Sequence, residues 1–162
     1  MKALSSPVAD GRGSAPPRPG SGPELYVYVT ADRVDRALAG RVGEALGALG
    51  VTAAVSPDPS PEQKPWEIRR AQRDQLESCD GVLLVYGAAP ATWIQSQFAF
   101  ARRVVALRRR GVWCALLDGA PSPRPAVRLS SPSLMMLDPR RDLEAELGRF
   151  VEALRADGGV RA

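Results

Sequence analysis

Hydrophobic positions follow two different periods along residues 24–157. Short apolar runs rich in β-branched and aromatic residues predict five strands, at 25–29, 51–55, 81–87, 112–117 and 134–137. Between them, apolar residues recur every three or four positions and predict helices at 34–49, 66–78, 91–110 and 141–154. The run at 81–87 is apolar throughout, which is typical of a central strand covered on both faces.

Strands that alternate with helices of this length predict a parallel sheet with helices on both faces. We therefore expect an α/β fold of the flavodoxin-like kind, a three-layer sandwich around a five-stranded parallel sheet of order 2-1-3-4-5. In such a sheet a ligand crevice forms where the strand order reverses, at the carboxyl ends of strands one and three. The crevice would contain residues 30–32 and 87–89.

Proline marks the loops and the ends of the domain. Thirteen of the 15 prolines fall within 1–23, 56–65 and 120–132. The first stretch, with Gly and Ser interleaved, predicts a disordered tail, and the other two predict long loops. We expect a tail at 1–23, one domain at 24–157 and a disordered C-terminus at 158–162.

The composition excludes several kinds of chemistry. The chain has no histidine and two cysteines, so it lacks the residues for a catalytic triad, and we expect no metal site. Half of the net charge of +4 lies in residues 1–23, so we do not expect the domain to bind nucleic acid. No segment is apolar enough for a signal peptide or a membrane span, so we expect a cytoplasmic protein without a membrane partner.

Known nucleotide and phosphate motifs are also missing. The turn after the first predicted strand, residues 30–32, contains no glycine, which argues against a dinucleotide-binding turn. The third predicted strand ends in Tyr86-Gly87, so no phosphate-accepting aspartate stands there, and a P-loop is absent. The glycines within the first predicted helix are better explained by close helix packing or by a GC-rich genome.

Three segments resemble parts of Toll/interleukin-1 receptor (TIR) domains. Residues 27–35, VYVTADRVD, are similar to the first strand and turn of a TIR domain, where an acidic residue begins the helix. Residues 76–87, LESCDGVLLVYG, look like its third strand, and residues 92–98, TWIQSQF, look like its tryptophan-containing third helix. The resemblance as a whole extends over about residues 24–155, and the segments are most similar to TIR-like modules of bacterial conflict proteins, which are often appended to NACHT- or STAND-type NTPases.

The resemblance implies one of two functions. Some TIR domains cleave the nicotinamide–ribose bond of NAD with a glutamate four residues after the tryptophan, and others only signal through homotypic contacts. Here Gln97 stands four residues after Trp93, and an amide cannot supply the charge of a carboxylate. We therefore expect a signalling or adaptor domain without a cofactor, which contacts itself or an NTPase-linked protein in a defence system.

The alternative is an NAD-cleaving enzyme that binds NAD through Thr30, Asp32, Trp93 and Gln97. Asp32 would then substitute for the missing acid, although an aspartate before a helix is more often a helix cap. Trp93 is equally compatible with a core position.

In the signalling domain, protein contacts would involve the loop at 56–65 and the end of the third helix. The interaction candidates there are Asp58, Glu62, Lys64, Trp66, Arg108 and Arg109.

Overall fold

The computed structural model describes residues 24–107, 111–119, 129 and 131–161, with side chains as far as residue 156. The predicted tail at 1–23 lies outside the described residues, as do Arg108, Arg109 and most of the proline-rich stretch 120–132.

Five parallel strands form one sheet, as the sequence predicts. They are β1 (Tyr26–Ala31), β2 (Thr52–Val55), β3 (Gly81–Tyr86), β4 (Cys114–Asp118) and β5 (Leu134–Leu137). Their order in the sheet is β2-β1-β3-β4-β5, which confirms the expected flavodoxin-like topology. In the centre, Val29 of β1 lies between Val55 of β2 and Leu83 of β3.

Four α-helices connect the strands or follow them. They are α1 (Arg36–Ala48), α2 (Pro65–Ser78), α3 (Ala91–Val105) and α4 (Leu143–Arg161). A single 3₁₀ turn, Arg33–Asp35, precedes α1. The last helix runs beyond the predicted end at 154, so the backbone of 158–161 is helical where we expected disorder. Residue 162 lies outside the described part.

The end of α1 shows why Gly50 stands where it does. Gly50 has a φ of 80°, a conformation that glycine adopts without steric cost. Its N–H donates to the carbonyl of Gly47, and the N–H of Val51 donates to the carbonyl of Leu46, each at 3.0 Å. These two bonds form a Schellman motif, which satisfies carbonyls that a helix end leaves without partners.

Side chains of the strands alternate between two hydrophobic cores, one on each face of the sheet. One core is formed with α1 and α4 and includes Val27, Val29, Leu83, Val85, Leu46 and Phe150. The other is formed with α2 and α3 and includes Tyr28, Val82, Leu84, Leu116, Ile94 and Phe98. Both faces of the sheet are therefore covered, which explains the continuous apolar runs in the central strands.

The inner face of α2 differs from the expected one. Helical spacing along the helix predicted at 66–78 places Trp66, Ile68, Ala71 and Leu76 on its inner face, but only Leu76 is buried. Trp66 is 59% exposed at the start of the helix. The first turns of α2 thus stand away from the sheet, and this position leaves space between α2 and the end of β1.

Candidate functional site

A cavity of about 380 Å³ lies at the carboxyl end of β1, between the β2–α2 loop, α2 and the start of α3. Its size is within the range of small-molecule sites in proteins. A wider groove of about 660 Å³ along α3 contains none of the predicted site residues. The cavity beside β1 is therefore the candidate site.

Tyr28 and Thr30 of β1 form the inner part of the cavity lining. Both are almost completely buried, because β1 lies in the interior of the sheet. Burial raises the pKa of Tyr28 to about 12, and a hydrogen bond with the Thr30 side chain opposes this rise without reversing it. The Tyr28 phenol is therefore neutral at physiological pH.

Trp93 lines the cavity from the first turn of α3. Its ring is half-buried and also packs against the core between the sheet and α2–α3. Both alternatives considered for Trp93 thus hold in part, since one residue contacts the core and borders the cavity. An aromatic ring in this position can stack on a planar ligand group.

The loop between β3 and α3 is held by Asp35, which precedes α1. The buried Asp35 carboxylate accepts hydrogen bonds from the backbone N–H groups of Gly87, Ala88 and Ala89 at 3.0, 2.6 and 3.1 Å. A Cβ atom at Gly87 would stand 2.3 Å from Asp35 Oδ1, so the contact requires glycine there. Three convergent N–H groups form an anion-binding concavity, and here the protein's own carboxylate fills it.

Consequently the two halves of the predicted crevice have different roles. Residues 30–32 line the cavity, but Gly87, Ala88 and Ala89 do not. Their amides are already bonded to Asp35, so they are not available to a ligand in this conformation. The open space lies on the α2–α3 side of the sheet.

Asp32 occupies the position before the 3₁₀ turn, yet its side chain makes no capping hydrogen bond. The expectation that its carboxylate caps the helix is therefore wrong. The turn is closed instead by backbone groups, with the N–H of Asp35 donating to the carbonyl of Asp32 at 2.9 Å. The Asp32 side chain is half-buried and lines the cavity.

The β2–α2 loop forms the outer wall of the cavity, and Arg36 of α1 holds it. Arg36 Nη1 donates to the carbonyl of Ser56 at 3.2 Å, and Nη2 forms an ion pair with Asp58. Ser56 is buried, and its hydroxyl accepts a hydrogen bond from the N–H of Ala31 at 3.3 Å. The loop therefore has a defined position over the cavity despite its proline-rich sequence.

The structure brings together three of the four predicted ligand-binding residues. Thr30, Asp32 and Trp93 line the same cavity, and Asp58 from the interaction candidates lines it as well. Gln97 lies one turn further along α3 than Trp93 and is not part of the lining.

The remaining interaction candidates lie outside the cavity. Glu62, Lys64 and Trp66 are exposed at the end of the β2–α2 loop and the beginning of α2. The Glu62 side chain accepts a hydrogen bond from the Ser60 hydroxyl, which lowers the pKa of Glu62. Arg108 and Arg109 belong to the part of the chain that the structure does not describe.

Charged groups in the cavity lining are balanced. Two carboxylates, Asp32 and Asp58, face two guanidinium groups, Arg33 and Arg36. Within the described residues no group of three or more Cys, Asp or Glu side chains could hold a metal ion. The cavity can therefore bind a ligand through an aromatic ring, hydroxyls, carboxylates and guanidinium groups, but it offers no metal site in these residues.

Asp35 and Arg36 are functional residues that sequence reasoning missed. Asp35 ends the 3₁₀ turn and Arg36 begins α1, where an acidic residue suggests only a favourable charge at a helix start. One signal was present: the dipeptide Asp35-Arg36 begins four residues after the end of β1, close enough for one side chain to face β3 and the other β2. Their partners lie about 20 and 50 residues away, beyond the reach of any local pattern.

Comparison with known proteins gives the fold alone. No protein-family model matches the chain, and no curated protein matches its sequence significantly. The solved structure of FerB, a flavoenzyme NAD(P)H:(acceptor) oxidoreductase from Paracoccus denitrificans, is similar with a TM-score of 0.50 at 12% identity, over 82% of this chain and 98% of that chain. A 2-deoxyribosyltransferase from Bacillus psychrosaccharolyticus is similar with a TM-score of 0.45 at 10% identity, over 62% of this chain and 77% of that chain.

The similarity to FerB agrees with the flavodoxin-like α/β arrangement. At such low identity it carries no information on the ligand or the reaction. Among the described residues, no helix is both long and apolar enough to cross a membrane.

Proposed function

We propose that this protein is a TIR-like signalling domain that binds a nucleotide-type ligand and passes on the signal through protein contacts. The observation that supports ligand binding is the cavity itself, where Trp93, Thr30 and Asp32 lie beside two arginines. An indole ring can stack on a base, hydroxyl and carboxylate groups can bind ribose hydroxyls, and guanidinium groups can bind phosphate. NAD and its fragments combine these three chemical groups.

Protein contacts are supported by the surface next to the cavity. Trp66 is 59% exposed, which is unusual for a side chain of this size. It stands at the first turn of α2, directly after the loop that closes the cavity. We propose that this surface contacts a second copy of the chain or an NTPase-linked protein in a bacterial defence system.

Two tryptophan variants test the two parts of the proposal. Titration calorimetry with NAD and with AMP should show a loss of affinity of roughly tenfold in Trp93→Ala, because stacking on an aromatic ring contributes about 1–3 kcal/mol. Trp66→Ala should keep the affinity but weaken self-association in analytical ultracentrifugation. Equal affinity of the wild type and Trp93→Ala, or no binding by the wild type, would contradict the ligand site.

Cleavage of NAD is a second candidate, and Asp32 is the observation that favours it. The Asp32 carboxylate lines the cavity and is not used as a helix cap, whereas Gln97 has an amide and lies outside the lining. In this case the ionised Asp32 carboxylate stabilises the positive charge that develops on the ribose as nicotinamide leaves, and water then bonds to the ribose carbon. Nicotinamide release from NAD, measured with dilute and with crowded protein, tests it.

The result of that assay separates the two candidates. Turnover by the wild type that disappears in Asp32→Asn supports an enzyme and contradicts a purely signalling domain. No turnover, together with intact NAD binding, supports the signalling domain. Turnover that appears only in Gln97→Glu would show that the third helix, rather than Asp32, holds the position of the acid.

A further inference from the structure

Arg36 uses only part of its hydrogen-bonding capacity to hold the β2–α2 loop. Nη1 donates to the Ser56 carbonyl and Nη2 pairs with one carboxylate oxygen of Asp58. The Arg36 and Asp58 side chains are 38% and 44% exposed, so their ion pair lies at the surface of the cavity wall. Exposed ion pairs of this kind contribute little to stability and are easily exchanged for another partner.

The third nitrogen of the same guanidinium has no partner. Arg36 Nε is buried, and no hydrogen-bond acceptor for it exists among the described residues. Buried donors in proteins are nearly always paired, so an unpaired one calls for an explanation. The explanation we favour is an acceptor that belongs to a ligand.

Guanidinium geometry specifies what that acceptor is. Nε and Nη2 point two N–H bonds in parallel along one edge, and this edge matches the two oxygens of a carboxylate or phosphate. Asp58 Oδ1 accepts a hydrogen bond from Nη2, which belongs to this edge, and Nε at the other end has no acceptor among the described residues. An oxyanion that binds both Nε and Nη2 therefore competes with the Asp58 carboxylate for Nη2.

We infer that Arg36 is the receptor for the anionic group of the ligand, and that this group competes with Asp58 for the same edge of the guanidinium. The inference rests on the proposed nucleotide-type ligand. Binding then breaks the contact that holds the β2–α2 loop at Asp58, so the loop is released when the cavity fills. Because Nε is buried, the loop or the Arg36 side chain must move before the oxyanion reaches it.

The other anion-binding group at this edge of the sheet supports the choice of Arg36. The amides of Gly87, Ala88 and Ala89 would suit a phosphate, but the Asp35 carboxylate already accepts all three. Arg33 also lines the cavity, but it is exposed, whereas Arg36 has a buried donor without an acceptor. A ligand phosphate thus meets its best unoccupied donor at Arg36.

This competition predicts opposite effects for the two partners of the ion pair. Calorimetric titrations with AMP and adenosine compare ligands that share the base and ribose and differ in the phosphate. Arg36→Gln should weaken AMP binding by about tenfold more than it weakens adenosine binding, because only AMP has the phosphate that Arg36 binds. Asp58→Asn should strengthen AMP binding two- to fivefold, because the competing carboxylate is gone. Arg41→Gln, on the exposed side of α1, should change neither and serves as the matched control.

Hydrogen exchange provides a second measurement that does not depend on affinity. Backbone amides in residues 56–64 should exchange faster in wild-type protein saturated with AMP than in the free protein. Asp58→Asn should show the faster exchange without ligand, and adenosine should not produce it in the wild type.

Several results would overturn the competition. They are slower exchange in the loop with AMP, weaker AMP binding by Asp58→Asn, and equal losses for AMP and adenosine in Arg36→Gln. If adenosine and AMP bind the wild type equally well, Arg36 does not bind the phosphate, but the proposed ligand site is still supported. If neither binds, the proposed ligand site fails and the inference with it.

Discussion

Asp35 is a buried charge, and its surroundings explain why the fold tolerates it. Burying a carboxylate is costly unless hydrogen bonds compensate for the lost water. Three backbone N–H groups do so, and hydrogen bonds to a charged acceptor are stronger than those between neutral groups. The side chain thereby connects the start of α1 to the loop that leads into α3, across the carboxyl edge of β1 and β3.

Replacing Asp35 by alanine should therefore destabilise the protein strongly. The change leaves three backbone donors without their acceptor, and each buried unpaired donor costs about 1–3 kcal/mol. We expect urea unfolding to show a loss of at least about 3 kcal/mol in the free energy of unfolding. Asp32→Ala is the matched control, since its side chain makes no capping bond, and should change the stability by less than about 0.5 kcal/mol.

The raised pKa of Tyr28 predicts that the protein loses stability at alkaline pH. Burial raises its pKa in the folded state to about 12, whereas the unfolded chain has the ordinary value near 10. The folded state binds the phenolic proton more tightly, so the contribution of Tyr28 to stability is fully present below pH 10 and is lost as the pH rises to 12. The loss is on the order of 2 kcal/mol.

Urea unfolding between pH 9 and 12 checks this prediction by comparison with Tyr28→Phe. The phenylalanine variant has no phenol to ionise at this position, so its stability should decline less steeply above pH 10. Identical slopes for the two proteins would show that Tyr28 ionises equally easily in the folded and unfolded states.

At the scale of the secondary-structure elements, α1 contains glycines with different surroundings. A Cβ atom at Gly43 would stand 3.1 Å from Val55 Cγ2 of β2, so close helix–sheet packing explains this glycine. At Gly40 and Gly47 a Cβ atom would meet nothing within 4 Å. Close packing, one of the two explanations expected from the sequence, therefore applies to Gly43 and not to the other two.

Alanine at these open positions should stabilise α1. Alanine is favoured over glycine in a helix by about 1 kcal/mol, so Gly40→Ala and Gly47→Ala should each raise the free energy of unfolding by about 0.5–1 kcal/mol. Gly43→Ala is the comparison, since its contact with Val55 should cancel the gain. Thermal and urea unfolding of the three variants measure the difference, and a loss of stability in Gly40→Ala would contradict the open space around it.

Most elements were predictable from the sequence because their signals are local. The pattern at 134–137 matches β5, and Gly50 directly follows the helix predicted at 34–49, a position where glycine is typical of a helix end. The start of α2 was less predictable, because Trp66 follows the helical period of the inner face but is exposed. A helical period predicts on which side of the helix a side chain lies, but only tertiary packing decides whether another element covers that side.

The candidate site was predictable only where it follows from topology. Thr30, Asp32 and Trp93 were placed at the reversal of strand order, and they do line one cavity. The contacts of Asp35 with Gly87 and of Arg36 with Asp58 join residues 52 and 22 positions apart, and no local pattern reports such pairs. The role of Asp32 was mistaken for a cap because its sequence context suits both roles.

At the scale of the whole molecule, the described core residues all lie within 25–154. We therefore predict that residues 24–162 expressed alone fold as the whole chain does. Their midpoint of thermal unfolding should lie within about 2 °C of the full chain, and AMP should bind both equally. Calorimetry of both proteins checks this, and a large fall in the midpoint would show that residues 1–23 contribute to the folded core.

Two walls of the cavity are held by contacts of charged side chains, and these contacts differ in their exposure to solvent. Asp35 and its hydrogen bonds with Gly87 and Ala89 are buried, so dissolved ions screen them little, whereas the Arg36–Asp58 pair is accessible to counterions. Rising ionic strength should therefore loosen the β2–α2 wall and leave the α3 wall in place. The access of a ligand to this cavity should therefore depend on the salt concentration of the solution as well as on the protein.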